Sequence, residues 1–124
     1  MTARALTALL FFALPLFPAA QAQPWKPTKP VEIIVGVSPG GGIDRTARTV
    51  QKILQEMKFV DVPVSVSNKP GGGGTIAQAY LNQRPGDAHY YEISATSLLT
   101  NLITGKTPAG PKEFTPIAML YDEY

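Results

Sequence analysis

Two stretches hold the residues best suited to chemistry, Ser38-Pro39-Gly40-Gly41-Gly42 and Asn68-Lys69-Pro70-Gly71-Gly72-Gly73-Gly74-Thr75. Each follows a β-branched run and precedes a helical pattern. A strand that breaks into glycines and restarts as a helix leaves several backbone N–H groups unpaired at the positive end of the helix dipole. Glycine also lets a ligand approach the main chain closely. A carboxylate or a phosphate is the natural occupant of such a turn. Two turns of one build in so short a chain point to a shared anion site, although tight turning alone would also account for the glycines. Neither stretch is followed by the Lys-Ser or Lys-Thr of a P-loop, and Gly40-Gly41-Gly42-Ile43-Asp44-Arg45 lacks the last glycine of a dinucleotide fingerprint.

The flanking residues divide between site and scaffold. Asp44 stands where an N-cap or first-turn acid belongs. Asn68 and Thr75 flank the second glycine run and could offer side-chain hydrogen bonds, as turn or cap residues or as ligand contacts. The candidate ligand-binding set is therefore Ser38, Pro39, Gly40, Gly41, Gly42, Asp44, Asn68, Gly71, Gly72, Gly73, Gly74 and Thr75. Arg45 and Arg48 read as a solvated helix face. His89, the single histidine, suits a surface or strand-edge position. Ser97 and Thr100 follow the third strand and could reach the same edge. No nucleophile elbow, metal-ligand spacing or carboxylate pair is present, so no catalytic residue, metal or cofactor is expected.

These turns need a parallel sheet to bring them together. Val31–Val37 is almost continuously apolar, the mark of a strand covered on both faces. Ile43, Ala47, Val50, Leu54 and Met57 then follow at spacings of 4, 3, 4 and 3, one buried stripe of a helix ending near Lys58. A second strand is expected over Val62–Val66, with Pro63 at its start or on an edge. A shorter helix is expected over Thr75–Asn82, with Ile76, Ala77, Tyr80 and Leu81 as its apolar positions. A third strand over Tyr90–Ser94, a helix over Ser97–Ile103, a loop at Gly110-Pro111 and a last strand over Phe114–Leu120 complete the reading. Strands alternating with helices imply an α/β fold with a parallel sheet. Such sheets bind ligands at the carboxyl ends of their strands.

Composition sets the surroundings. Arg4, the apolar run Ala5–Phe17 and Ala20-Gln21-Ala22 have the order of a secretory signal peptide over residues 1–22, with cleavage expected after Ala22. The apolar run is shorter than the ~20 residues that span a bilayer. There is no cysteine, hence no disulfide, thiolate metal site or lipid attachment at a processed cysteine. Without Arg4 the eleven basic residues become ten, scattered, against nine acidic ones. That balance excludes a nucleic-acid footprint.

Taken in order, the motifs resemble one family. Lys29-Pro30-Val31, then Pro39-Gly40-Gly41-Gly42-Ile43-Asp44-Arg45-Thr46-Ala47-Arg48, is similar to the opening of the Bug proteins, the periplasmic binding proteins of tripartite tricarboxylate transporters. Asn68-Lys69-Pro70-Gly71-Gly72-Gly73-Gly74 resembles their Asn-basic-Pro-Gly-x-Gly-Gly segment, and Glu113-Phe114-Thr115-Pro116 their acidic-Phe-Thr-Pro stretch. The resemblance implies a two-lobed α/β fold of the type II periplasmic-binding-protein kind, monomeric and without catalytic activity. It further implies a small di- or tricarboxylate held by amides of Ser38–Gly42 and Pro70–Thr75, partly through water, and delivered to a membrane permease. Residues 23–124 would then be the N-terminal part of the first lobe, with the second lobe absent. Val37 replaces an aromatic residue common in the family, and Pro85-Gly86-Asp87-Ala88-His89-Tyr90 departs from Pro-x-Asp-Gly-Tyr, which suggests a divergent branch. Two other readings fit the same residues. One is a secreted phosphate-ester enzyme using these loops. The other is a non-binding remnant that aggregates because its apolar sheet is uncovered.

Overall fold

The computed structural model describes residues 25–106 and 113–120. The leader, its cleavage point and the loop at Gly110-Pro111 lie outside them. Three parallel strands, β1 (Val31–Val35), β2 (Val64–Asn68) and β3 (Tyr90–Ile93), form a sheet in the order β2-β1-β3. Helices α1 (Gly42–Glu56), α2 (Thr75–Asn82) and α3 (Ser97–Ile103) follow them in turn, and a glycine 3-10 turn (Gly72–Gly74) precedes α2. This is the α/β fold that the alternation of patterns predicts.

β1 is central because its sequence is apolar on both sides. Val31, Ile33 and Val35 are buried with Ala47 and Val64, and Val50 and Leu54 of α1 pack against that cluster. On the other face Ile34 is fully buried, and Glu32 accepts a hydrogen bond from the Tyr80 hydroxyl of α2 at 3.0 Å. Helices thus cover both faces of the central strand, as parallel sheets require.

The boundaries differ from the sequence reading for local reasons. α1 ends at Glu56 rather than near Lys58, and Met57 is 63% exposed instead of closing the apolar stripe. Lys58 adopts φ 52, and the amides of Lys58 and Phe59 turn back onto the carbonyls of Gln55 and Leu54. That pair of bonds is a Schellman ending, with lysine in the position glycine usually takes. β2 runs two residues later than expected, since Pro63 has no N–H for the ladder and contributes only its carbonyl, which accepts from Val31. Ile76, an apolar position of α2, is 52% exposed, whereas Gln78 is buried beside Ala77.

The last strand does not form: Thr115–Leu120 takes no strand conformation, and Ile117, Met119 and Leu120 remain exposed. The segment lies by β3, sharing cavity walls with it, but makes no ladder bonds there. Apolar β-branched character gives a strand only where an edge pairs with it.

Residues before β1 are pinned to the start of β3. Lys29 Nζ lies 2.7 Å from Asp87 Oδ2, and His89 Nε2 accepts from the Thr28 N–H at 3.1 Å. His89 Nδ1 sits 2.8 Å from Asp87 Oδ1, and Trp25 packs edge-on against the imidazole. The bonds from Lys29 and His89 lower the Asp87 carboxyl to about 2. His89 is therefore a strand-edge clamp, as its isolation in the sequence suggested.

Candidate functional site

Strand register sets the geometry of the site. Val35 pairs with Asn68 on one side and Ile93 on the other, so all three strands end in one row. Both glycine turns consequently leave the same carboxyl edge of the sheet. The chain goes from β1 to β2 on one side and then to β3 on the other. The crevice between β1 and β3 is therefore the point where the winding direction reverses, the usual ligand position in open α/β sheets.

The first turn presents Ser38, Pro39, Gly40, Gly41 and Gly42 to solvent. Gly41 is the N-cap of α1, with φ −70 and ψ 170, and no side chain caps the helix. In the second turn Gly71, Gly72, Gly73 and Gly74 all take positive φ, at 127, 59, 66 and 102. Four such residues in succession are open to glycine and to almost nothing else. The result is a left-handed turn closed by the Gly74 N–H on the Gly71 carbonyl at 3.0 Å. Gly74 then caps α2, again without a side-chain hydrogen bond. Two helix N-termini thus share one edge, neither capped by a side chain.

The acidic and amide residues of the predicted set hold this edge together. Asp44 is buried in the first turn of α1, and its Oδ2 accepts from the Gly40 N–H at 2.8 Å and from Arg48 Nε at 3.0 Å. Its Oδ1 accepts from Asn68 Nδ2 at 2.8 Å, and the same amide reaches the Val37 carbonyl at 3.0 Å. Arg48 Nη2 closes the network on Asn68 Oδ1 at 3.3 Å. The bonds from Arg48, Gly40 and Asn68 hold the Asp44 carboxyl well below its ordinary range. Asp44 and Asn68 therefore spend their polar atoms tying the first turn to the end of β2. Arg48, read as a solvated face, belongs to that tie. The Gly40 and Gly74 amides are engaged within the protein.

Three contributors went unread in the sequence. A Cβ on Gly36 would come 2.8 Å from the Gly74 Cα, so the exit of β1 packs backbone to backbone against the second turn at this residue. The signal was a glycine closing an otherwise β-branched run. Asn101 of α3, buried, donates to the Gly73 carbonyl at 2.9 Å and latches α3 onto the second turn. Gln78 lies beneath that turn. Neither polar side chain falls in a pattern that marks it as buried.

Two cavities adjoin this edge or the sheet face behind it. One, of about 490 Å³, opens at the β1/β3 crevice between the first turn of α1 (Ile43, Thr46), the exit of β3 (Glu92, Ser94, Thr96) and Ala118–Leu120. Burial pushes the Glu92 carboxyl up to about 7, against a smaller lowering from Ser94. The other, about 280 Å³ and apolar, lies on the α1 side among Trp25, Leu54, Tyr91 and Ile117. The glycine turns line neither cavity, although Ile43, next to the first turn, borders the larger one. Among the described residues no group of three or more His, Cys, Asp or Glu is placed to hold a metal. None of the helices there is long and apolar enough to cross a membrane.

The edge has counterparts in known proteins. A UPF0065 protein of Bordetella bronchiseptica is 35% identical over 104 residues, covering 82% of this chain and 30% of its own length. The protein BugT of Bordetella pertussis is 28% identical over 100 residues, covering 77% of this chain and 30% of its own. The crystal structure of a TctC solute-binding protein from Polaromonas, solved without ligand, superposes with a TM-score of 0.61 at 31% identity. The relatives of this chain are UPF0065 and Bug proteins. The match to the Polaromonas protein covers 68% of this chain and 28% of that one, and the chain spans about 30% of the length of the Bordetella relatives. A UPF0065 protein of Pseudomonas strain P51 aligns at 27% identity over 95 residues. No family model matches the chain. The Bug relatives and the TctC fold agree with the family resemblance of the motifs.

Proposed function

We propose that the protein is a periplasmic solute-binding receptor that captures small di- or tricarboxylates for the membrane permease of a tripartite tricarboxylate transporter. The described sheet forms one wall of its cleft. The observation that carries this reading is the shared edge: two helix N-termini without side-chain caps, the exit of β1 packed on the second turn at Gly36 and Gly74, on a fold similar to a solved solute-binding protein. A solute carboxylate accepts hydrogen bonds from the Gly41–Ile43 amides and from those of Gly72, Gly73, Thr75 and Ile76, directly or through water. Asp44 and Asn68 act by keeping the two turns in register, and the crevice cavity has room for the remainder of a small acid. The partially positive helix ends supply the charge, so no metal or cofactor is called for.

The test is a thermal-shift series on the full chain with succinate, malate and citrate, using inorganic phosphate as the comparison anion. A bound solute at 100 times its Kd adds about 2.7 kcal/mol of stability. An upward shift with at least one carboxylate and none with phosphate is the expected result. Flat melting curves with every carboxylate would remove the proposal, and a shift with phosphate alone would replace it with a phosphate-ester reading.

A further inference from the structure

His89 lies in the segment that departs from the motifs the chain otherwise follows, and residues 25–30 are pinned to the start of β3 through its ring. The Thr28 N–H donates to His89 Nε2 at 3.1 Å, and the Trp25 ring packs edge-on against the imidazole with centroids 5.4 Å apart. Lys29 adds an exposed ion pair with Asp87, a contact of small worth at a surface. The partners fix where the ring carries its proton. A backbone N–H only donates, so Nε2 is bare; the Asp87 carboxylate, lowered to about 2, only accepts, so the proton sits on Nδ1, 2.8 Å from Asp87 Oδ1. The neutral imidazole therefore makes the tie.

Histidine is the side chain that changes charge between about pH 5 and pH 8, and the side chain of His89 is 12% exposed, within reach of water. A second proton has to go to Nε2, where it meets the Thr28 N–H; two donors then face each other and the bond is lost. The surroundings offer the imidazolium little in return. Asp87 already shares its charge with Lys29 at 2.7 Å. Glu32 of β1 donates its amide to the His89 carbonyl at 2.8 Å but turns its carboxylate to Tyr80. From α1 and its exit the residues that line a wall with Trp25 are Val50, Leu54 and Val60, and Tyr91 of β3 keeps its hydroxyl proton because burial raises it. We propose that His89 is a proton-operated latch: protonation of Nε2 frees residues 25–30 from the start of β3 and takes Trp25 out of the wall of the apolar cavity it shares with Leu54, Tyr91 and Ile117. The latch opens in acid and closes toward neutral pH, and it does not depend on the carboxylate reading of the glycine turns.

Two probes of the full chain test it, each read from about pH 8 down to about pH 5. The protection factor of the Thr28 amide, measured by NMR hydrogen exchange, should fall about tenfold, the value of one hydrogen bond. Trp25 is the single tryptophan, so the acrylamide quenching constant of the emission should rise over the same range as its ring leaves the protein. His89→Gln, which can accept from Thr28 but does not titrate, should hold both readouts at their values for the closed state. Glu92→Gln should keep the wild-type change, which separates the latch from the carboxyl raised to about 7 on the same strand. Dimmer emission with an unchanged quenching constant and a protected Thr28 amide would overturn the proposal, because the imidazolium then stays against Trp25. So would a change that survives His89→Gln or disappears in Glu92→Gln. The amide measurement on the wild-type chain decides the matter by itself should His89→Gln fail to fold.

Discussion

Asp44 and Glu92 are carboxyls whose surroundings push them in opposite directions. Asp44 collects three donors and stays ionised far into the acid range, so it holds the first turn to β2 wherever the protein is folded. Glu92 is largely desolvated and has only Ser94 to favour its charge, which raises it from 4.5 to about 7. Between those two pH values the native state keeps a proton that the unfolded chain releases. The contribution is therefore present below about pH 4.5 and is lost as pH rises through 7. Glu92→Gln should abolish this loss. Urea midpoints at pH 5 and pH 8 should differ less in the variant than in the wild type, with a gain at pH 8 on the order of 1–3 kcal/mol after solvent screening. Identical pH profiles for the two proteins would show that Glu92 is solvated. The carboxyl of Asp44 was legible in the sequence as a first-turn acid. Its partners were not, because Asn68 and Arg48 reach it only once β2 lies beside β1.

Among the elements, the two turns depend most on residues that cannot be exchanged. Gly36→Ala places a methyl group 2.8 Å from the Gly74 Cα, a backbone atom that moves only with the whole turn. The expected cost is about 1–3 kcal/mol, read as a lower urea midpoint, together with weaker carboxylate binding in the same preparation. An unchanged midpoint would mean that the exit of β1 does not pack against the second turn. α2 and α3 match the sequence reading to the residue, and β1, α1 and β3 to within two, because hydrophobic period and glycine punctuation are local signals. The Gly36 contact and the Asn101 latch are long-range, and a single sequence shows them only as a glycine and a polar residue without evident purpose. Thr115–Leu120 shows the opposite failure, since its strand-like composition is real but no ladder forms on it.

The molecule as a whole sets a covered central strand against an apolar border. The outer edge of β3 has no ladder partner among the described residues, and Met119, 82% exposed, lies beside it. An unpaired edge next to exposed apolar side chains invites association. Met119→Lys should slow light-scattering growth on heating while the urea midpoint shifts by no more than about 0.5 kcal/mol, the usual range for an exposed position. Aggregation at the wild-type rate would direct attention to the Trp25–Ile117 cavity instead. Parallel topology and the shared carboxyl edge of the two glycine turns could be read from the sequence because they follow from element order and strand ends. The floor of the site could not, since Gln78 gives no sign of burial until α2 is docked. The contact of Gly36 with Gly74 also bears on how this fold can be re-engineered. Gly36 and Gly74 are far apart in the chain, yet the second turn cannot be exchanged without reshaping the backbone surface it shares with the exit of β1. A graft that moves the second turn alone into a foreign scaffold should misplace it, so the transplantable unit is the whole segment from β1 through α2.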